Sequence, residues 1–547
     1  MQNIEGKIEP IGKLFSSDFF FTVPDYQRPF AWEESNFQDL IDDLEEARNG
    51  QQYFLGTLVL HKRGGKNNYD IVDGQQRVTS LLILLACLRD MITDPKFKKG
   101  LQEKIVQEEN KVDGIPELPR VTSKDRAIFR ELVLEQDGTS TKKKQEDLAE
   151  PETRYLQAIT IFKKALAKYN QTELEKFVQF INQHCNIIYI ATTTFDDAFK
   201  LFTIVNDRGR QLRRIDVLKA QNISPDTIPL QLTRDHVAKV WETLENEIGE
   251  AEFESILYSM RMIIIKEKPQ EDLLTEFDNK IFKKGLLQRG EKFVDEVKTY
   301  GDLYRGIFID KDYVPSTNKD HVKFKAMIHI MDREFEASEW RACLMFFAKK
   351  FAGASFYDFM LALEKIYLEQ WVGGVRKDER FGTYSKILKA IDTSTDPNDV
   401  IKDMTYDAAL IKKAAEDSNF YNTRYAKYFL LRLEIINSEH DVYKEIYAKS
   451  IEHVFPQNPN SASNWVKDVD FAEHRSVVNS IGNLVLLSKS KNSSASNHDF
   501  SVKKERYLKD RMSDYPRSLK VVTEPEWTIA KIKANTKDFA ASIIANP

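Results

Sequence analysis

Apolar positions along the chain fall into two rhythms. Tyr53-Phe54-Leu55-Gly56-Thr57-Leu58-Val59-Leu60 and Tyr69-Asp70-Ile71-Val72 are short runs of β-branched and aromatic residues on either side of Gly64-Gly65, and they predict two strands joined by a turn. Phe19 to Pro24 predicts a further strand stopped by proline, after a short helix-like segment from Ile8. Phe37, Leu40, Ile41 and Leu44 recur at helical spacing and predict a helix over 33–47; the strongly apolar stretch Leu81 to Met91 predicts a helix after a polar turn. Residues 96–186 read as helical hairpins broken by a polar stretch, 135–150, whose Lys142-Lys143-Lys144 is most simply a solvated loop. Ile187 to Ile190 predicts a strand returning to the N-terminal sheet.

From 225 to 422 the spacing is mostly helical. Trp241, Leu244, Phe253, Ile256, Leu257, Met260 and Ile263 make apolar stripes of the kind that fill cores. A helix over 425–437 opens the C-terminal part. An apolar run ending in Glu452-His453 follows, then a Gly-Asn strand over 481–487, a polar helix start at Lys491-Asn492, and a Lys-rich tail beyond Tyr507.

Composition narrows the class. A chain of 547 residues is long enough for three or four domains of roughly 150 residues each. Its 42% hydrophobic content supports large cores without covalent staples, and Cys87, Cys185 and Cys343 form no C-x-x-C pair, so neither a disulfide framework nor a zinc site is expected. No apolar run reaches the ~18 residues of a membrane span, and the N-terminus lacks a basic region followed by an apolar core, so a cytoplasmic protein without membrane contact is expected. The net charge of −5 argues against an indiscriminate nucleic-acid coat and leaves any DNA contact to local basic surfaces.

The C-terminal constellation has the residue types of a one-metal phosphodiester-cutting site. Attack of water on phosphorus needs a base near neutral pH, and His453 is the candidate. A hard divalent ion, Mg²⁺ or Mn²⁺, would balance the leaving oxygen and takes oxygen ligands, which Glu452 and Asn492 could supply. Asn483 on the facing strand could hold the imidazole in one tautomer. Lys489, Lys491, Lys503, Lys504 and Arg506 supply the positive charge that a DNA backbone requires, although an ordinary solvated helix face would look similar. The plain alternative for a single histidine at the end of an apolar segment is a satisfied structural role. His474 and His498, without such company, read as surface residues.

A second cluster lies in the N-terminal part. Asp73-Gly74-Gln75-Gln76-Arg77-Val78-Thr79 stands between a strand and an apolar helix, an order that suits anion binding, because the free N–H groups at a helix start attract phosphate. Arg77 would add a charge-assisted contact and Thr79 a hydroxyl. It is not a Walker P-loop, since no G-x-x-x-x-G-K-[ST] occurs. The loop before the first long helix carries Tyr26, Gln27, Arg28, Phe30 and Trp32, either a packed turn or a place where aromatic side chains stack on an extruded base. Arg208, Arg210, Arg213 and Arg214 form the densest arginine group, with phosphate contacts or salt bridges at a helix end as the two readings.

These strings carry a family resemblance. Glu452-His453, Asn483 and Asn492 resemble the HNH (ββα-metal) nucleases. IEHVFPQ, GNLVLL, KN, SNHDF and KKERY together are similar to the C-terminal nuclease domain of GmrSD-type modification-dependent restriction enzymes, with a loop insertion around 458–475 to fill the thirty residues between His453 and Asn483. YQRPFAW, YFLGTLVL and IVDGQQRVTSLLIL resemble the N-terminal domain of the same family, whose core is similar to the ParB and sulfiredoxin fold; DGQQR stands where those proteins keep a phosphate motif. The resemblance implies a helix-rich α+β chain with three parts: a nucleotide-binding sensor over 1–222 with a helical insertion at about 96–186, a helical spacer or DNA-shaping region over 223–422, and an HNH nuclease over 423–547. It implies a nucleoside triphosphate, held through Asp73, Gly74, Gln75, Gln76, Arg77 and Thr79 and hydrolysed in several members, that licenses cutting of modified DNA. Tyr26, Gln27, Arg28, Trp32, Arg208, Arg210, Lys503 and Lys504 are the expected DNA or modification contacts, and a homodimer would make two cuts in a duplex easier. The alternatives are a ParB-like nucleotide-dependent DNA-binding switch with an inactive nuclease relic, or a nuclease acting on RNA.

Overall fold

The computed structural model describes the chain except residues 1–3, 25, 28, 49–51, 65–66, 113, 124–125, 142–149, 195–196, 199–200, 203–212, 225–226, 468 and 509–514. It divides into two compact units, 1–240 with 289–291, and 241–288 with 292–547.

The first unit is built on strands β1 (Glu5–Pro10), β2 (Phe20–Thr22), β3 (Tyr53–Lys62), β4 (Asn68–Asp73), β5 (Val106–Gln107), β6 (Leu118–Pro119), β7 (Val121–Thr122) and β8 (Cys185–Thr192). Six of them form one mixed sheet in the order β1-β8-β3-β4-β2-β7, and β5 pairs with β6 alone. β1 runs antiparallel to β8 and β3 antiparallel to β4, while the β3–β8, β2–β4 and β2–β7 pairs are parallel. Helices α1 (Ile11–Leu14), α2 (Glu34–Ala47), α3 (Gln75–Met91), α4 (Pro95–Ile105), α5 (Glu150–Leu166), α6 (Gln171–His184) and α7 (Arg214–Asn222) accompany it. α3 is buried on every side from Val78 to Arg89, as expected of a helix apolar all round.

Two elements differ from the sequence reading. Ile8 lies in strand β1 rather than in a helix; its side chain is 65% exposed, so the edge strand carries no apolar alternation to announce it. The region 96–186 is not only helical hairpins, because it also supplies β7, which extends the main sheet beside β2.

In the second unit, helices fill 241–436 and the last, α8 (Ala426–Ile436), is buried along most of its length. Beyond it come β9 (Ser450–His453), α9 (Phe471–Val477), β10 (Leu484–Leu487), α10 (Lys489–Ala495), α11 (Phe500–Leu508), α12 (Pro516–Thr523) and α13 (Ile529–Ser542). β9 and β10 form an antiparallel pair. Val454, Phe455, Trp465, Val477, Val485, Leu487, Tyr507, Trp527 and Ile532 form the core beneath it. The expected Lys-rich tail contains two helices. α13 presses on the Gly-Asn turn so closely that a Cβ at Gly482 would lie 2.3 Å from the Ile532 carbonyl oxygen, and this explains the glycine.

Candidate active site

β9 and β10 set the C-terminal site. His453 ends β9 opposite Leu484, and Glu452 is opposite Val485. The next residue is pinned at once, Val454 N–H donating to the Asn483 carbonyl at 3.0 Å. Successive side chains leave a strand on opposite faces, so Glu452 and His453 diverge although adjacent.

His453 is partly buried. Its Nε2 lies 3.0 Å from Asn479 Oδ1, and the Tyr421 ring meets it edge-on with centroids 4.4 Å apart. Gln457 Nε2 donates to the same Asn479 oxygen at 2.8 Å. Burial brings the imidazole pKa down to about 4, which leaves a neutral ring at pH 7. A neutral ring with Nε2–H donating to Asn479 keeps Nδ1 as a proton acceptor.

Glu452 goes the other way. Its Oε1 accepts from Lys503 Nζ at 2.6 Å and from the Tyr507 hydroxyl at 3.0 Å, in a buried cluster. Lys503 and Tyr507 are four apart on α11 and therefore share a face. Lys503 Nζ also donates to the His453 carbonyl at 2.7 Å. Burial raises the Glu452 carboxyl and lowers the Lys503 ammonium, each opposed by the attraction of the other charge. This corrects two expectations. Lys503 is not a DNA contact, being fully buried, and Glu452 does not fit as a metal ligand in this arrangement, because an ammonium already occupies its carboxylate. Among the described residues no group of three or more His, Cys, Asp and Glu side chains is assembled to hold a metal ion.

Asn492 lies on α10 and ties that helix to β9, its Nδ2 donating to Ser450 Oγ at 2.5 Å and to the Ile451 carbonyl at 3.0 Å. Its carboxamide oxygen is the remaining ligand atom of the expected set. Asn483 does not touch His453. It is fully buried, its Oδ1 accepting from Phe455 N–H at 2.9 Å and Trp527 Nε1 at 3.0 Å, and its Nδ2 donating to the Phe455 and Val478 carbonyls. Asn479 takes the place at the imidazole instead; the sequence signal was a second Asn four residues before Asn483. His474 is not a surface residue. It is buried against Phe455, ring centroids 4.3 Å apart, with Nε2 3.0 Å from the Pro456 carbonyl oxygen; His498 is exposed. Of the expected basic rim, Lys491 is buried with Nζ on the Tyr507 carbonyl, Lys504 donates to the Glu524 carbonyl at 2.8 Å, and Lys489 is exposed.

In the first unit, the turn after β4 places Gly74 at the cap of α3 with φ +93, a conformation that favours glycine. Arg77 folds back so that Nη1 donates to the Thr57 carbonyl at 3.1 Å. Its guanidinium rests on Gly56, where φ is +97 and a Cβ would lie 3.1 Å from the guanidinium carbon. Asp73 faces Arg77 electrostatically, and burial raises its carboxyl pKa. The other expected nucleotide ligands turn away. Gln75 and Thr79 are buried, and Gln76 is committed to a loop, its Oε1 accepting from Ala31 N–H at 2.8 Å and Trp32 N–H at 3.2 Å and its Nε2 donating to the Pro29 carbonyl. Gln27 fastens the same loop to the Ile71 and Val72 carbonyls of β4, and Arg154 donates to the Ala31 and Trp32 carbonyls. Tyr26 and Phe30 are buried, which removes them as stacking platforms as placed; Trp32 is partly exposed. Arg28, Arg208 and Arg210 lie outside the described residues, and Arg213 pairs with Asp216 at 2.8 Å, the salt bridge at a helix end.

With both sites laid out, two family models match. The model for the GmrSD restriction endonuclease N-terminal domain covers residues 11–223, and the model for the GmrSD restriction endonuclease C-terminal domain covers residues 400–542. The chain carries both domains of a GmrSD restriction endonuclease. The N-terminal GmrSD match holds five of the six strands of the main sheet, all but β1, together with α3, and the C-terminal match holds β9, β10, His453 and Asn479. The GmrSD domains support a DNA endonuclease acting in restriction and defence. No curated protein matches the chain. No helix among the described residues is long and apolar enough to cross a membrane.

Proposed function

We propose that this GmrSD chain hydrolyses phosphodiester bonds of modified DNA, with His453 as general base in an HNH-type site and a ParB-like N-terminal domain that binds a nucleoside triphosphate and licenses the cut. The observation that carries the reading is the presentation of His453: an imidazole at the end of β9 whose Nε2 lies 3.0 Å from Asn479 Oδ1, so that with Nε2–H as donor Nδ1 is the nitrogen that accepts a proton. The antiparallel pair of β9 and β10, with α9 inserted between them in the chain and α10 following β10, supports it.

In the proposed step a water oxygen attacks phosphorus while its proton passes to His453 Nδ1. The bond from phosphorus to the departing sugar oxygen breaks, and that oxygen takes its proton from solvent. A divalent cation, Mg²⁺ or Mn²⁺, belongs to the proposed reaction as counter-charge. Of the ligands expected from sequence, Asn492 stays in this reading, through its carboxamide oxygen. For the nucleotide, the fitting groups are the first-turn N–H groups of α3 after Gly74, with Arg77 beside them. Gln76 joins that turn to the loop at Pro29, Ala31 and Trp32, and Gln27 joins the loop to β4, which in this reading links the nucleotide to a modification-sensing loop.

The test mixes purified full-length protein with plain, cytosine-methylated, glucosylated and phosphorothioate DNA, with Mg²⁺ or Mn²⁺ and with nucleotide. Cutting of at least one modified DNA, lost by about a hundredfold or more in His453→Ala, is the expected result. Cutting by that variant at the wild-type rate would remove the assigned base. Binding of nucleotide and DNA without cutting would favour the ParB-like switch, and cutting of RNA alone would favour the RNA nuclease.

A further inference from the structure

We infer that Asn479 is the positioning residue of the His453 base: its side-chain oxygen holds Nε2–H and thereby commits Nδ1 to water. This rests on the reading of His453 as the base and adds the residue that gives the ring its direction.

The geometry is specific. Asn479 lies between α9 and the short turn Ile481–Asn483, a segment fastened by Ser480 N–H on the Val477 carbonyl at 3.0 Å and by Asn483 N–H on the Ser480 carbonyl at 2.9 Å. Its backbone carbonyl accepts from Tyr421 N–H at 2.9 Å, and Tyr421 is the residue whose ring meets the imidazole. The same residue therefore places the ring's neighbour through its backbone and the ring itself through its side chain. Gln457 donates to Asn479 Oδ1 as well, which orients that oxygen as the acceptor for both side chains. A neutral imidazole has one N–H, and an acceptor fixed at Nε2 determines which nitrogen carries it. Asn483, the carboxamide that sequence suggested for this task, has its oxygen and nitrogen bonded to Phe455, Trp527 and Val478.

If the Asn479 side chain faces Nε2–H, a carboxylate in its place stabilises the imidazolium; if that side chain only packs elsewhere, the proton affinity of His453 is unchanged. Full-length Asn479→Asp is therefore compared with wild type by carbethoxylation of His453 with diethyl pyrocarbonate, a reagent selective for neutral imidazole, followed by mass spectrometry from pH 4 to 8. The expected result is an upward shift of the His453 midpoint by roughly 1 to 3 pH units, with the acid limb of DNA cutting moving by the same amount. Identical midpoints in both proteins would overturn the inference. Asn479→Ala supplies a second decision if the Asp variant does not fold: kcat is expected to fall roughly ten- to a hundredfold with KM unchanged, and an unchanged kcat would overturn it. Failure of the base assignment is separately visible, because His453→Ala would then still cut DNA.

Discussion

In the N-terminal unit the candidate chemistry comes from neighbours in sequence, Asp73 to Thr79; near the C-terminus it comes from Tyr421, His453, Gln457 and Asn479, which only the fold brings together. The contiguous set is scattered by its own helix. With 3.6 residues per turn, Gln75 and Thr79 go into the core, Gln76 goes to the 29–32 loop, and Arg77 returns to β3. A contiguous motif thus mixes ligand and scaffold. The dispersed set has no such restriction, and its members meet at one imidazole. Glu452 and Lys503 belong to the same region but to the other face of β9, where they hold the strand rather than face a substrate.

The largest expected effect tests that division into faces. Lys503→Met leaves the Glu452 carboxylate buried beside Tyr507 without its cation, and breaking a buried pair from one side costs about 3–5 kcal/mol. Urea unfolding of the variant should show it, and combining it with Glu452→Gln should recover much of the loss. If Lys503→Met kept wild-type stability and gained metal affinity, Glu452 would belong with the ligands after all.

The two carboxamides separate next. Asn483→Ala strands two donors and two acceptors inside the core and should cost about 3 kcal/mol in thermal or chemical unfolding. Asn479→Ala, at a partly exposed position, should cost under about 1 kcal/mol while lowering cutting. Equal stability losses in the two variants would erase the distinction between scaffold and chemistry.

In the N-terminal unit, Gly56→Ala forces a side chain into φ +97 under the Arg77 guanidinium and should cost roughly 1–3 kcal/mol. Nucleotide binding, read by calorimetry, should weaken with it because Arg77 must shift. Tight binding by a variant of normal stability would show that Arg77 is not part of the phosphate site.

The readability of these features from sequence follows the same physics. β3, β4, β8 and α3 were legible because each is an apolar run bounded by turn residues. β1 was not, since its one central apolar residue, Ile8, is exposed on an edge strand. His453 was legible from its place at the end of a strand facing a Gly-Asn turn. The divergence of Glu452 was also available, in strand alternation and in the four-residue step from Lys503 to Tyr507 that gives one carboxylate two partners. What no local pattern contains is which of two asparagines, 479 or 483, meets the ring, because that choice is made by Trp527 and Phe455 claiming the other. The burial of His474 against Phe455 is of the same kind.

The smallest effect is a pair of opposite pH slopes that marks the two sites. His453 titrates near 4 in the folded chain and near ~6.5 when unfolded, so between those values the unfolded chain binds the extra proton and stability falls as pH falls. Wild type should therefore gain stability relative to His453→Ala as pH rises from about 4 to ~6.5, with no further change above. Asp73 has the reverse sign. Burial raises its folded pKa, so its contribution is intact below the ordinary carboxylate range and is lost as pH rises through the folded value. Wild type should lose stability relative to Asp73→Asn over that rise. Each slope is bounded by one proton and reduced by solvent at a partly exposed group, so melting-temperature differences between variant and wild type measure it better than either curve alone. Parallel curves for His453→Ala would mean that burial does not lower the proton affinity of the ring in the folded chain, and the partly buried place assigned to the imidazole would be wrong.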